Sequence, residues 1–322
     1  MEKIERILNF RERVKSFVEK QNLILRFLAK FIGAVIMIRC LNELMGYSAF
    51  LRQPSVIGAA AIICLLIPFS YSYIMFSLLC IVQLLNVSVD ITLLMAAGLI
   101  LFYVIYNRNC MRYGYLAILT VILLPTNLSA LVPIFVGIFS GPLGIPPMLM
   151  GIVIYFFSSS LDRAILEMTR TVNTQPLYQM VLDMMISDKE MLLYTCCFVI
   201  TALVAAKMYR MQADYAWMVS IPTVGIIYTV IYLYGSFLLE IESSIPDSIL
   251  TFFLSVILLE VIQFFRNIID YSRAENLQFE DDEYYYYVKA VPKINIPKRD
   301  VNVMKINARR KNWFIRRRDK KE

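Results

Sequence analysis

Residues 124–157 read LPTNLSALVPIFVGIFSGPLGIPPMLMGIVIYFF. The stretch is apolar enough for a membrane. Pro125, Asn127, Pro133, Gly137, Gly141, Pro142, Gly144, Pro146, Pro147 and Gly151 nevertheless interrupt it. A plain transmembrane helix takes about 20 apolar residues in a row. Proline removes a backbone donor and kinks a helix. At membrane depth the freed backbone groups persist only where protein buries them or a cavity solvates them. The stretch therefore predicts two half-helices meeting at a Gly/Pro turn.

The rest of the chain sets the class around it. Its 322 residues are 59% apolar and 18% charged, with a mean hydropathy of +0.62. Soluble chains are about a quarter charged and under half apolar. The expectation is an all-α fold: a polytopic helical membrane bundle of about eight spans with a broken or re-entrant helix pair and a short cytoplasmic tail. Residues 1–20 are charged throughout and hold no apolar core of a signal peptide.

Three segments are expected: an amphipathic cytoplasmic helix at 1–22, a transmembrane domain at 23–266 and a cytoplasmic basic tail at 267–322. The first helix can lie on the lipid surface or on the protein's own cytoplasmic face. Spans are expected at 27–51, 87–106, 191–206, 215–239 and 248–265, with a further one starting at 114–124. Residues 56–70 and 73–85, parted at Pro68, are each short for a crossing. They read as a tight pair of spans or a re-entrant hairpin. The polar segment 158–190 predicts interfacial helices at 161–170 and 177–186, with Ser158, Ser159 and Ser160 as a helix boundary and cap.

Charge gives an orientation. The net charge is +7, and Lys and Arg concentrate before residue 31 and after residue 265. The positive-inside rule places both termini in the cytoplasm, along with the loops of Arg108/Arg112 and Lys207/Arg210. Residues 158–190 and the acidic turn of Glu240, Glu242 and Asp247 are then outside. The chain must cross an odd number of times between Arg112 and Leu161. Two plain helices fail that parity; one crossing plus a re-entrant half-helix pair meets it.

Interrupted helices often hold solutes, because half-helix ends supply partial charges. The candidate substrate contacts are Asn127, Ser129, Ser140, Gly141 and Gly144. The competing reading is a kinked pair packed closely through Gly137-xxx-Gly141. The candidate intramembrane charges are Arg39, Glu43 and Glu260. Arg39 reads as a partner of Glu43 one turn away, of Glu260, or of both. Lys30 and Arg26 can snorkel to the cytoplasmic interface.

The chain has no histidine, which excludes Ser-His-Asp and Cys-His catalysis and His-ligated metals. Its six cysteines form no metal-type spacing. No P-loop, GxSxG or HExxH occurs. No enzyme, cofactor or metal is expected. The tail stretch 279–297, FEDDEYYYYVKAVPKINIP, reads as a short strand or hairpin. The basic end that follows, with Trp313, Phe314 and Ile315, suits anionic lipid or a cytoplasmic protein partner rather than nucleic acid.

The stretches VPIFVGIFSGPLGIPPMLMG at 132–151 and FEDDEYYYYVKAVPKI at 279–294 resemble uncharacterised multi-pass membrane proteins of low-GC Gram-positive bacteria. That resemblance implies a bacterial plasma membrane and brings no activity or site residue. The Gly141-Pro142-Leu143 turn is also similar to turns in the substrate-binding membrane components of vitamin transporters. Two functions follow as expectations. One is a small-solute transporter or transport-complex membrane subunit, which needs a polar cavity on residues 125–147. The other is a non-transporting scaffold whose basic tail recruits a cytoplasmic partner, which needs only a filled bundle.

Overall fold

The computed structural model describes residues 11, 13, 14, 18, 20–170, 175–211, 216–266, 275–280 and 285–290. Most of the expected helix at 1–22, and most of the tail, lie outside the described residues. The chain divides into two units: Val14–Asn267, and Met1–Arg13 together with Ile268–Glu322.

The larger unit is all-helical among its described residues. Helix α1 spans Asn22–Leu44. Helix α2, Pro54–Leu66, starts with proline at its first turn, where no donor is lost. It stops because Ile67 precedes Pro68 and is held extended at φ −84° and ψ 133°. Helices α3, Ser72–Leu84, and α4, Val89–Phe102, follow, and α4 ends in a wider turn at Tyr103–Asn107. Helix α5 is Tyr115–Leu123. Helix α6, Leu131–Phe135, continues as a wider turn to Ser140. A tight turn at Gly141–Gly144 then leads into α7, Ile145–Arg170. Helices α8, Leu177–Ile186, α9, Lys189–Tyr209, α10, Ala216–Leu238, and α11, Ile245–Arg266, complete the unit.

Among the described residues, five helical stretches are long and apolar enough to cross a membrane: Val89–Asn107, Leu131–Arg170, Lys189–Tyr209, Val219–Leu238 and Ile245–Arg266. This compares with about eight spans expected from the hydrophobic pattern. The shortfall has two physical causes. Helices α2 and α3 have 13 residues each, about 20 Å at 1.5 Å per residue, where the hydrocarbon core is about 30 Å thick. Helix α1 is long but carries Arg26, Lys30, Arg39 and Glu43. Large apolar side chains face outward along the unit, among them Leu93, Ile100, Val230, Phe253 and Ile257. An apolar exterior on this scale is compatible with lipid contact.

Two expectations are corrected here. Residues 161–170 are not a separate interfacial helix; they are the last turns of α7, which runs unbroken to Arg170. The three serines do not cap a boundary. Ser158 and Ser160 are fully buried within α7, and the Ser158 hydroxyl donates to the Leu44 carbonyl at the end of α1 (3.0 Å). The hydroxyl ties two helices together, which sequence spacing alone cannot distinguish from a cap.

Beside this junction, Tyr47 donates to Asp162 (2.5 Å). Burial, and then the Asp162 carboxylate, push the Tyr47 phenol well above its usual range, so it stays a donor. A second buried network joins α1 and α3. Gln83 donates to Asn42 Oδ1 (2.5 Å) and accepts from the Ser48 amide (2.8 Å), while Asn42 donates to the Leu51 carbonyl (2.8 Å). Gln83 is fully buried. Replacing it with leucine orphans a carbonyl oxygen and an amide where water is scarce. Gln83→Leu is expected to destabilise the detergent-solubilised protein by about 2–4 kcal/mol, read as a lower midpoint of thermal unfolding.

In the smaller unit, strands β1, Glu275–Glu280, and β2, Tyr285–Ala290, pair antiparallel, with Phe279 opposite Tyr286 and Leu277 opposite Val288. β2 falls on the tyrosine run of the expected stretch 279–297, whereas β1 lies mostly before it, and residues 291–297 lie outside the described residues.

Candidate functional site

The expected pair of half-helices about a Gly/Pro turn is met only in part: the run Leu131–Ser140 is short, but beyond the Gly141–Gly144 turn comes the 26-residue α7, and the other short helix is α5, which precedes the stretch and is joined to the run by a polar turn. α5 has nine residues, and the run from Leu131 to Ser140 has ten. Each rises about 15 Å, half the hydrocarbon thickness. Residues 124–130 form the turn that joins them. Gly141 then takes φ +64° and ψ −158°, a conformation open almost only to glycine. This turns the chain into α7.

The run from Leu131 to Ser140 lies against α9. A Cβ on Gly137 would meet the Ala205 side chain and stand 2.5 Å from the Ala202 carbonyl oxygen. The close-packing reading of Gly137 therefore holds for this crossing. Gly141 has a different role, as the turn residue above, so the two glycines do not act as one packing motif.

The polar turn faces a cavity of about 370 Å³. Pro125, Thr126, Asn127 and Ser129 form one wall. Tyr155 of α7, Tyr194 of α9, and Tyr228 and Tyr232 of α10 form the aromatic walls. Glu190, Glu242, Asp247 and the hydroxyls of Ser243, Ser244, Ser248 and Thr251 also line it, and the lining contains no lysine or arginine. Tyr228 is 3% exposed, and its hydroxyl lies 3.1 Å from that of Ser129, which pins the turn to α10. The rings are ordered against one another: Tyr228 stacks on Tyr232 at 6.2 Å and 10°, and Tyr194 meets Tyr232 at 5.6 Å.

Asp188 caps α9, accepting from the Glu190 and Met191 amides (3.0 and 3.3 Å). That cap sets the position of Glu190 at the first turn. Lys189 donates to the Leu239 carbonyl (3.1 Å), which brings the 240–247 turn beside the start of α9. Asp188 is also ion-paired to Arg163, so Arg163 is bound outside the cavity. Such an arrangement offers a desolvated aromatic wall and an anionic rim, which together attract cations.

The expected substrate residues are thus divided. Asn127 and Ser129 line this cavity. Ser140, Gly141 and Gly144 stand at the opposite end of the α6 run, about 15 Å of helix away. Ser140 lines a separate cavity with Arg112, Tyr113, Tyr115, Phe135, Phe139, Ile262 and Arg266. The half-helix period is what separates the two groups, and a list of polar residues along one stretch conceals it. The tyrosines escaped the sequence reading because they come from three separate apolar runs. The one legible signal was the four-residue spacing of Tyr228 and Tyr232, and of Glu190 and Tyr194, which places each pair on one helix face.

The three charges expected within the membrane do not converge. Arg39 and Glu43 are both exposed on the last turns of α1. Glu260 is partly buried on α11. Among the described residues none of the three has an ion-pair partner within 4.0 Å; the ion pair found there is Arg163–Asp188. Gln263, one turn below Glu260, donates to the Tyr209 hydroxyl (3.1 Å). Lys30 donates to the carbonyls of Leu65 (2.8 Å) and Ile67, satisfying the end of α2. No group of three or more Cys, Asp or Glu with metal-binding geometry occurs among the described residues. No protein-family model, curated protein or solved structure matches this chain.

Proposed function

We propose that this chain carries a small cationic solute, as a transporter or as the membrane subunit of a transport complex. The observation that supports the reading best is the cavity at the polar turn between α5 and α6. It combines three carboxylates, four tyrosines and no lining cation. Its volume of about 370 Å³ falls in the usual range for small-molecule sites, about 300–1,000 Å³. Asn127 and Ser129 would supply neutral contacts, the tyrosine faces would take the cationic group, and Glu190, Glu242 and Asp247 would draw it in.

In this reading α5 and α6 are a re-entrant pair that enters and leaves at the arginine-bearing end. α7 then provides the single crossing that parity demands. Helices α1, α2, α3, α4, α7, α9, α10 and α11 would make the eight crossings, with the bilayer thinned around the short α2 and α3. Both termini would face the cytoplasm of a bacterial cell, and the basic tail would lie against anionic lipid. A charge division supports this orientation. Glu190, Glu242 and Asp247 gather at one end of α9, and Arg210 follows the other end.

A tag inserted at Gln175 in a single-cysteine background is expected to react with a membrane-impermeant reagent added from outside. Protection of a correctly inserted protein would overturn the orientation. For the activity, the full chain in proteoliposomes is expected to take up choline or putrescine and to leave glutamate outside. Equal handling of glutamate, or no uptake of either cation with no cation-dependent shift in unfolding temperature, would remove the reading. Deleting residues 274–322 is expected to leave that uptake intact. If the deletion abolishes the cellular phenotype while uptake is unaffected, the tail-recruitment scaffold is the better account.

A further inference from the structure

We infer that the opposite end of the α6 run is a second site, which binds a phosphate group. The cavity there measures about 340 Å³ and is lined by Arg112 from the α4–α5 loop, Arg266 at the end of α11, Ser140, Tyr113 and Tyr115. Tyr115 and Ser140 stand in the same lining as both arginines. Arg266 is held in place with its guanidinium 4.2 Å over the Phe139 ring. A third cation stands alongside: the Arg210 guanidinium covers Gly141, where a Cβ would lie 3.0 Å from its Nη2. Three segments far apart in sequence therefore bring their arginines around one turn.

Among the described residues none of these arginines has a carboxylate within 4.0 Å; the ion pair found there is Arg163–Asp188. Charges kept for topology alone have no reason to converge, because like charges repel and each needs only its own loop. Convergence with no carboxylate among the described residues beside it fits a site for an anion. Arginine forks match phosphate oxygens two at a time, and the Ser140 and Tyr113 hydroxyls can donate to the remaining ones. Gly141 keeps the turn low enough for Arg210 to reach across it. A lipid headgroup and a free phosphate share this chemistry, and their source is settled by experiment.

The test uses the full chain in a neutral detergent with about 0.5 M NaCl, which screens solvent-facing charge more than charge in a walled site. The unfolding temperature is followed with added phosphatidylglycerol, phosphatidylcholine or inorganic phosphate. Phosphatidylglycerol is expected to protect the protein, and phosphatidylcholine much less. The double variant Arg112→Gln/Arg266→Gln is expected to weaken that protection at least tenfold. Arg316→Gln/Arg317→Gln/Arg318→Gln in the tail should leave it unchanged. Protection by inorganic phosphate alone, lost in the same double variant, assigns the site to free phosphate. If the double variant does not fold, Arg112→Lys/Arg266→Lys keeps the charge without the forks and should still lose most of the protection. Equal protection by both lipids with no effect of phosphate, or protection that survives both double variants, overturns the site.

Discussion

Replacing Gly137 with leucine is expected to remove most of the folded protein. A Cβ there would meet the Ala205 side chain, stand 2.5 Å from the Ala202 carbonyl oxygen and 3.0 Å from the Ala206 amide. Two of those neighbours are backbone atoms of α9 in mid-helix, so they cannot rotate away. The α6 run would have to lift off α9. That separation reaches further than a local clash, because the same run leads directly to the Gly141 turn and so places the start of α7. Overpacking a well-filled site costs about 1–3 kcal/mol, and more where backbone must move. A margin of only about 5–15 kcal/mol separates folded from unfolded protein. The check is the monodisperse fraction of a fluorescent fusion on size exclusion after mild heating. Gly98→Leu is the matched control, since a Cβ at Gly98 meets nothing within 4 Å. A Gly137→Leu protein as monodisperse and heat-resistant as the Gly98→Leu protein would show that the crossing is looser than described.

The contrast between these glycines also shows what could be read in advance. Composition and runs of apolar residues are local, so the helical, strongly apolar class of the larger unit and the positions of α9, α10 and α11 follow from them. The Pro and Gly cluster at 124–157 marked where the helices break, because proline and positive φ act on the chain itself. Which side of each half-helix faces a neighbour is not local. Gly33, Gly98 and Gly137 all stand in apolar helical sequence, yet only a side chain at Gly137 would collide. Likewise Ser158 resembles a cap until α1 is beside it. Short helices were harder still. Helices α2 and α3 carry a hydrophobic signal but lack the length of a standard span, so hydropathy alone cannot count them. The acids of the cavity were visible as acidic loops, but the tyrosines that wall the cavity with them come from α7, α9 and α10.

The largest functional effect is expected from neutralising the cavity rim. Glu190→Gln, Glu242→Gln and Asp247→Asn together should lower the affinity for choline or putrescine by roughly 100-fold, since each unit charge near 4 Å contributes about 1 kcal/mol in water and 1.4 kcal/mol is tenfold. All three acids are exposed at the mouth, so raising the salt concentration should erode the wild-type affinity and leave the triple variant nearly flat. That salt response separates an electrostatic rim from mere misfolding, which would lower uptake at every ionic strength. The fold itself should tolerate the exchange. Glu242 and Asp247 lie in the α10–α11 turn and its first helical residues, and Asp188, the residue that caps α9, is left untouched. Tyr228→Phe probes the deeper wall by a different route. It removes the bond to Ser129 but keeps the ring, so it should loosen the polar turn by about 1 kcal/mol while retaining most of the cation attraction. If the triple variant binds the cations as tightly as wild type at low salt, the carboxylates are only surface charges. The cavity would then need a neutral occupant, recognised by the tyrosine faces, Asn127 and Ser129 alone.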